Sequence, residues 1–154
     1  DVLSTGFFCA RLGNIEPGSV VAVVGAGPVG ICAAIAAKEL GAAKVFSLDL
    51  EPARLTLAAS YGAVPLLAND AKALEQLREA TKGRGADVVL ECVGSEQATR
   101  SAYDLARPGR CALRVALGVH ARRSLRQEPH LSRRSLFGAC DDGGDDAARH
   151  VAQV

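Results

Sequence analysis

The sequence has no tryptophan and no methionine, and only 4% of its residues are aromatic. Val, Ala and Leu must therefore fill any core, which suits a buried parallel sheet flanked by helices. No apolar run reaches membrane-spanning length, and no basic-then-apolar leader stands at the start, so no membrane association is expected. The five cysteines, Cys9, Cys32, Cys92, Cys111 and Cys140, form no CxxC pair and are odd in number. This argues against a disulfide framework or a closed zinc site. It favours buried, reduced thiols, with Cys32 and Cys92 in apolar helix and strand contexts, and a cytoplasmic setting. A net charge of +1 over 154 residues points to no partner of either sign. The first residue is Asp1 rather than Met, so the chain reads as a piece of something longer.

The stretch from Val20 to Asp49 organises the rest. An apolar run, Val20 to Val24, leads into Gly25-Ala26-Gly27-Pro28-Val29-Gly30. An Ala-rich helical segment follows to about Leu40, then a Gly41 stop, a second apolar run and the acid Asp49. Strand, glycine turn, helix, strand and acid in this order suit a dinucleotide. Gly25 permits the tight turn, Gly27 lets the backbone approach a pyrophosphate, and Gly30 lets helix and strand pack closely. Unpaired N–H groups at the helix start, with the helix dipole, attract the phosphates. Asp49, 19 residues beyond Gly30, is placed to accept hydrogen bonds from the adenosine ribose. The same pattern also fits a glycine turn that only packs a helix on a strand, or another nucleotide-type ligand such as S-adenosylmethionine.

Along the chain, a short helix is expected over Ser4 to Leu12, before the first strand. After the second strand, Pro52 opens a helix to about Tyr61, and a third strand lies near Val64 to Leu67. Asn69 or Asp70 caps a polar helix from Ala71 to about Thr81. The fourth strand, Asp87 to Cys92, is nearly continuously apolar, and Ser95 caps a helix to about Ala106. Strands alternating with helices predict an α/β fold, a doubly wound parallel sheet of the Rossmann type. A ligand is expected at the carboxyl ends of the strands, among Gly25 to Gly30, Asp49 and Cys92 to Gly94.

The segments STG, EPGSVVAVVGAGPVG, GAAKVFSLDLEPARLTLAASYGA and GADVVLECVGS resemble the cofactor domain of the zinc-dependent medium-chain alcohol dehydrogenases. The resemblance runs without a gap from Asp1 to about Gly109, which defines a truncated NAD(P)-binding domain over residues 1–109. It implies hydride transfer between an alcohol carbon and NAD(P), with a catalytic zinc polarising the oxygen. It assigns cofactor contacts to Gly25, Gly27, Pro28, Val29, Gly30, Asp49, Leu50, Val93 and Gly94. It also implies NAD rather than NADP, because Asp49 repels a 2′-phosphate. Arg54 stands either beside the adenosine ribose or as a solvated helix charge. Thr5 matches a threonine near the nicotinamide, or is a helix cap. Asp1, four residues before Thr5, matches the position of the third zinc ligand and resembles the formaldehyde-dehydrogenase-like branch, where that ligand is Asp; alone it is a terminal acid. The other ligands, a Cys and a His-Glu pair, would belong to an upstream catalytic domain, so zinc is expected only in an intact parent.

Past Gly109 the resemblance stops. Residues 1–109 carry 10 Lys+Arg and 12 Asp+Glu, whereas residues 110–154 carry 8 Arg, no Lys and 5 acids. This segment reads as an irregular tail, although Cys111 to Val119 is apolar enough to mimic a strand. Codons can be chosen for Leu125 to Leu131 that, read one nucleotide later, give YDKNLT. The stretch from Leu131 to Asp142 can likewise give FRVGRCSARVM, and Arg110-Cys111 can give Gly-Val. Segments of this kind stand at this distance in the family, so the tail is expected to be an out-of-frame translation. The rival reading, Arg122, Arg123, Arg126, Arg133 and Arg134 contacting nucleic acid or an acidic partner, lacks interleaved aromatics and is opposed by Asp141 to Asp146. His120, His130 and His150 are too scattered for a metal cluster.

The expected function is thus the NAD-binding portion of an oxidoreductase acting on a small alcohol or aldehyde hydrate. The chain alone is expected to hold no catalytic residue, to be inactive, and to lack the last strands and the edge that the family uses to form homo-oligomers. The alternative is a non-catalytic nucleotide-binding or regulatory module.

Overall fold

The computed structural model describes residues 1–108 and the backbone of residues 113–115. The elements run α1 (Val2–Leu12), β1 (Val20–Val24), α2 (Pro28–Glu39), β2 (Lys44–Asp49), α3 (Pro52–Ser60), β3 (Val64–Leu67), α4 (Lys72–Ala80), β4 (Val88–Glu91), α5 (Glu96–Leu105) and β5 (Leu113–Val115). All strand pairings are parallel, in the order β3-β2-β1-β4-β5. The direction of winding reverses between β1 and β4, and the crevice in which such sheets take ligands lies at the carboxyl ends of these strands.

Alternation along the strands builds two cores. Val21 and Val23 of β1, Val45 of β2 and Val88 and Leu90 of β4 face Cys9 and Ala10 of α1, the alanines of α2, and Leu55 and Ala58 of α3. Ala22, Val24, Phe46, Leu48, Leu66 and Val89 face the other way, onto Ala73 and Leu77 of α4 and Ala98, Ala102 and Leu105 of α5. The alanines of α2 let it approach the sheet closely, so small residues replace the missing aromatic bulk. No helix among the described residues is long and apolar enough to cross a membrane.

Three expectations need correction. The sheet does not stop at four strands: Leu113 to Val115 pair with Val89 to Glu91, so the segment taken as an irregular tail begins by extending the sheet. The expectations for the rest of that segment, including its reading frame, its arginines and its histidines, lie outside the described residues. The polar helix starts at Lys72, and Asp70 Oδ1 accepts the Lys72 N–H at 2.9 Å, so the capping oxygen acts just ahead of the helix. Among the described cysteines, Cys9 is the buried one, while Cys32 and Cys92 are only half-buried; all three are free.

Candidate functional site

The crevice is built from three turns. The first leaves β1. Gly25 takes φ +97, a left-handed conformation suited to glycine, and donates its N–H to Leu48 O at 2.7 Å. Gly27 caps α2 in an extended conformation, Pro28 opens the helix, and no side chain caps the free N–H groups. A Cβ on Gly27 would meet nothing within 4 Å, so the backbone here lies open to a ligand. Gly30 is the reverse case: a Cβ there would run into Gly25 O, and the bare backbone lets α2 rest on the turn. Val29 lies between these two within the first turn of α2.

The second turn leaves β2. Asp49 is its last residue and is 8% exposed. Its Oδ2 accepts the Ala26 N–H at 2.7 Å and its Oδ1 accepts the Glu51 N–H at 2.9 Å. The carboxylate thus ties the glycine turn to the start of α3 and keeps further lone pairs for a ligand. Arg54 Nη1 lies 3.8 Å from Oδ2 and is largely exposed, and Leu50 projects with 61% exposure.

The third turn leaves β4. Cys92 donates its N–H to Val24 O at 2.8 Å, Val93 is 55% exposed, and Gly94 takes φ +83. Val93 Cγ2 lies 2.6 Å from the position a Cβ on Gly25 would take, so the third turn abuts the first. Behind it, the Cys92 thiol hydrogen-bonds Cys9; that bond, with burial, pushes the Cys92 thiol up and keeps it protonated.

The structure therefore brings Gly25, Gly27, Pro28, Val29, Gly30, Asp49, Leu50, Arg54, Val93 and Gly94 to one crevice. Thr5 lies on α1 and Asp1 is its N-cap residue; this helix packs on the start of α2, where Gly6 meets Cys32 and Ala33. Thr5 Oγ1 donates to Asp1 O at 2.8 Å, and the exposed Asp1 side chain makes no cap bond. Among the described residues no group of three or more His, Cys, Asp or Glu could hold a metal ion, so these residues do not make up a zinc site. A groove of about 450 Å³ lined by Pro52, Leu55, Thr56, Leu67, Asp70 and Gln76 lies along the β3 edge, away from the β1–β4 switch point. The sequence reading passed over Glu91, which is fully buried directly behind Val93 and Gly94. Its signal was available: like Asp49, it is an acid closing an apolar run just before a turn.

A family described as zinc-binding dehydrogenase matches residues 28–141, a match that continues past Gly109. A probable zinc-binding alcohol dehydrogenase of Mycobacterium tuberculosis (strain ATCC 25618 / H37Rv) is 42% identical over 120 residues, 78% of this chain and 30% of that protein. The sorbitol dehydrogenase of Bacillus subtilis (strain 168) is 39% identical over 107 residues, covering 69% of this chain and 30% of its own length. The solved structure of alcohol dehydrogenase TADH from Thermus sp. ATN1 superposes with a TM-score of 0.68 at 42% identity, covering 71% of this chain and 32% of that one. The chain thus spans about a third of the length of these relatives. A family match over residues 28–141 and relatives about 40% identical along most of this chain place it in the zinc-dependent medium-chain alcohol dehydrogenase family of oxidoreductases.

Proposed function

We propose that this chain is the nicotinamide-dinucleotide-binding portion of an alcohol dehydrogenase-like oxidoreductase, with NAD preferred over NADP. The observation that carries this reading is Asp49. It is anchored to the glycine turn through Ala26, it is nearly buried, and it presents negative charge where a ribose would lie. A carboxylate with unused lone pairs suits ribose hydroxyls and opposes a 2′-phosphate. The open Gly27 backbone and the uncapped start of α2 suit the pyrophosphate. Leu50 and Val93, exposed and apolar, offer flat contact to the adenine, and Gly94 lets the backbone pass close by. Arg54 lies within reach of the ribose, and Thr5 is assigned to the nicotinamide end.

When bound, the nicotinamide exchanges hydride with a substrate carbon. The residues of this chain bind and orient the cofactor. The reading extends to a longer enzyme acting on a small alcohol or aldehyde hydrate, with Asp1 as one ligand of its zinc. The three free thiols among the described residues support a reducing, cytoplasmic setting.

Fluorescence titration with NADH and NADPH tests the proposal. Saturable NADH binding, weaker NADPH binding, and about tenfold or greater loss of NADH affinity in Asp49→Asn are expected, the scale of a lost hydrogen bond to a charged group. Equal affinity for both cofactors, or no binding by a chain with native circular dichroism, would overturn it.

A further inference from the structure

Glu91 closes β4 and is fully buried. A carboxylate in such a place calls for a cation or for convergent N–H donors. Among the described residues no basic group pairs with it. Its Oε1 instead accepts the Val93 N–H at 2.6 Å and the Gly94 N–H at 2.9 Å, and Oε2 accepts the Gly94 N–H at 3.2 Å. Two successive amides thus fold back onto one acid, and the bend is completed by Gly94 at φ +83. The side chain carried outward by this bend is Val93, which is packed against Gly25. The chain from buried acid to glycine turn is continuous: Glu91 fixes the amides, the amides fix Val93, and Val93 abuts Gly25.

We propose that Glu91 is a positioning residue for the cofactor, holding the β4–α5 turn so that Val93 forms one wall of the crevice. The proposal rests on the nicotinamide-dinucleotide reading. The acid is needed for its oxygens, not for its bulk. A leucine of similar size would continue the apolar run at lower desolvation cost, but it would leave both amides without an acceptor. Charge-assisted bonds to two neighbouring N–H groups stiffen the bend more than neutral ones would.

The test uses the full chain and compares Glu91→Leu, Glu91→Gln and Thr81→Val. Thr81 is a buried side chain that bonds Leu77 O and the Gly85 N–H, away from the crevice. NADH affinity and the thermal midpoint are read for each. Glu91→Leu is expected to weaken NADH binding about tenfold, and Glu91→Gln, which keeps an Oε1 acceptor, to recover to within about threefold of the wild type. Thr81→Val is expected to lower the midpoint while leaving affinity within about twofold. Wild-type affinity in a folded Glu91→Leu chain, or losses that simply track the midpoint across all three variants, would overturn the proposal. If Glu91→Leu does not fold, Val93→Ala is read in its place: weakened binding supports the wall, and unchanged binding overturns it. Failure of the wild-type chain to bind either NADH or NADPH overturns the cofactor reading as well, and so differs from failure of the Glu91 role alone.

Discussion

The two ends of the sheet use their polar groups in opposite ways. At the amino end, Asp87 precedes β4 and is used up within the protein. Its Oδ2 accepts the Val20 N–H at 2.9 Å, and its Oδ1 pairs with Arg107 Nη1 at 3.2 Å. Thr81 likewise satisfies Gly85 and the end of α4. At the carboxyl end, Asp49 and Glu91 accept main-chain N–H groups of the turns, with the exposed Arg54 beside Asp49, while α2 begins uncapped and Leu50 and Val93 are left exposed. An acid beside a strand therefore serves either to close the fold or to shape an opening. What distinguishes the two is what stands around the acid: a strand end and Arg107 around Asp87, and open glycine backbone with exposed apolar side chains around Asp49 and Glu91.

This contrast is most sharply tested within the glycine turn itself. Gly30→Ala drives a methyl group into Gly25 O and is expected to cost about 3 kcal/mol or more, beyond the usual range for overpacking because the obstacle is backbone. Urea denaturation reads this loss, and cofactor binding should disappear with it. Gly27→Ala, three residues away, puts the same methyl into open space. Its stability should stay within about 1 kcal/mol, the scale of a changed N-cap, while NADH affinity falls. Equal destabilisation by the two changes would mean that the cradle is a packing device and not an opening.

The amino end should respond in the reverse sense. Asp87→Ala leaves the Val20 N–H without its acceptor and removes a partly exposed ion pair, at an expected cost of about 1–2 kcal/mol. NADH affinity, measured where the variant is fully folded, should stay within about twofold of the wild type. A clear loss of affinity would show that the ends are coupled through β1 and β4, and the division of labour would fail.

These differences were only partly legible in the sequence. The glycine turn, β3 and the acid at Asp49 could be read directly, because glycine spacing and apolar runs report local backbone needs. The brace from Asp49 to Ala26 could not, since its partner lies 23 positions away and only the folded sheet brings the two together. Glu91 was hidden for a related reason: an acid at the end of an apolar run marks a strand end, and its burial depends on α5 covering the sheet. The fifth strand was missed because the segment after Gly109 departs from the pattern of the preceding chain, whereas pairing with β4 needs only an extended backbone in register.

The smallest effect is expected at Arg54, where the two readings of its charge separate. Its guanidinium is 59% exposed and lies 3.8 Å from Asp49, which is 8% exposed. Solvent screens a pair of this kind, so Arg54→Gln should leave the unfolding midpoint unchanged within error. If the side chain is only a solvated helix charge, NADH binding is unchanged too. If it reaches the ribose, affinity falls by about two- to fivefold, the scale of one exposed polar contact, and the loss diminishes as salt is raised. The Asp49→Asn background distinguishes a direct contact from an effect relayed through the carboxylate. A direct contact persists in that background, so the two losses add, whereas an Arg54 that acts only by holding Asp49 contributes nothing once the charge it pairs with is gone. The second outcome would move Arg54 from the ligand-facing groups of the carboxyl end to the self-satisfied kind seen at Asp87.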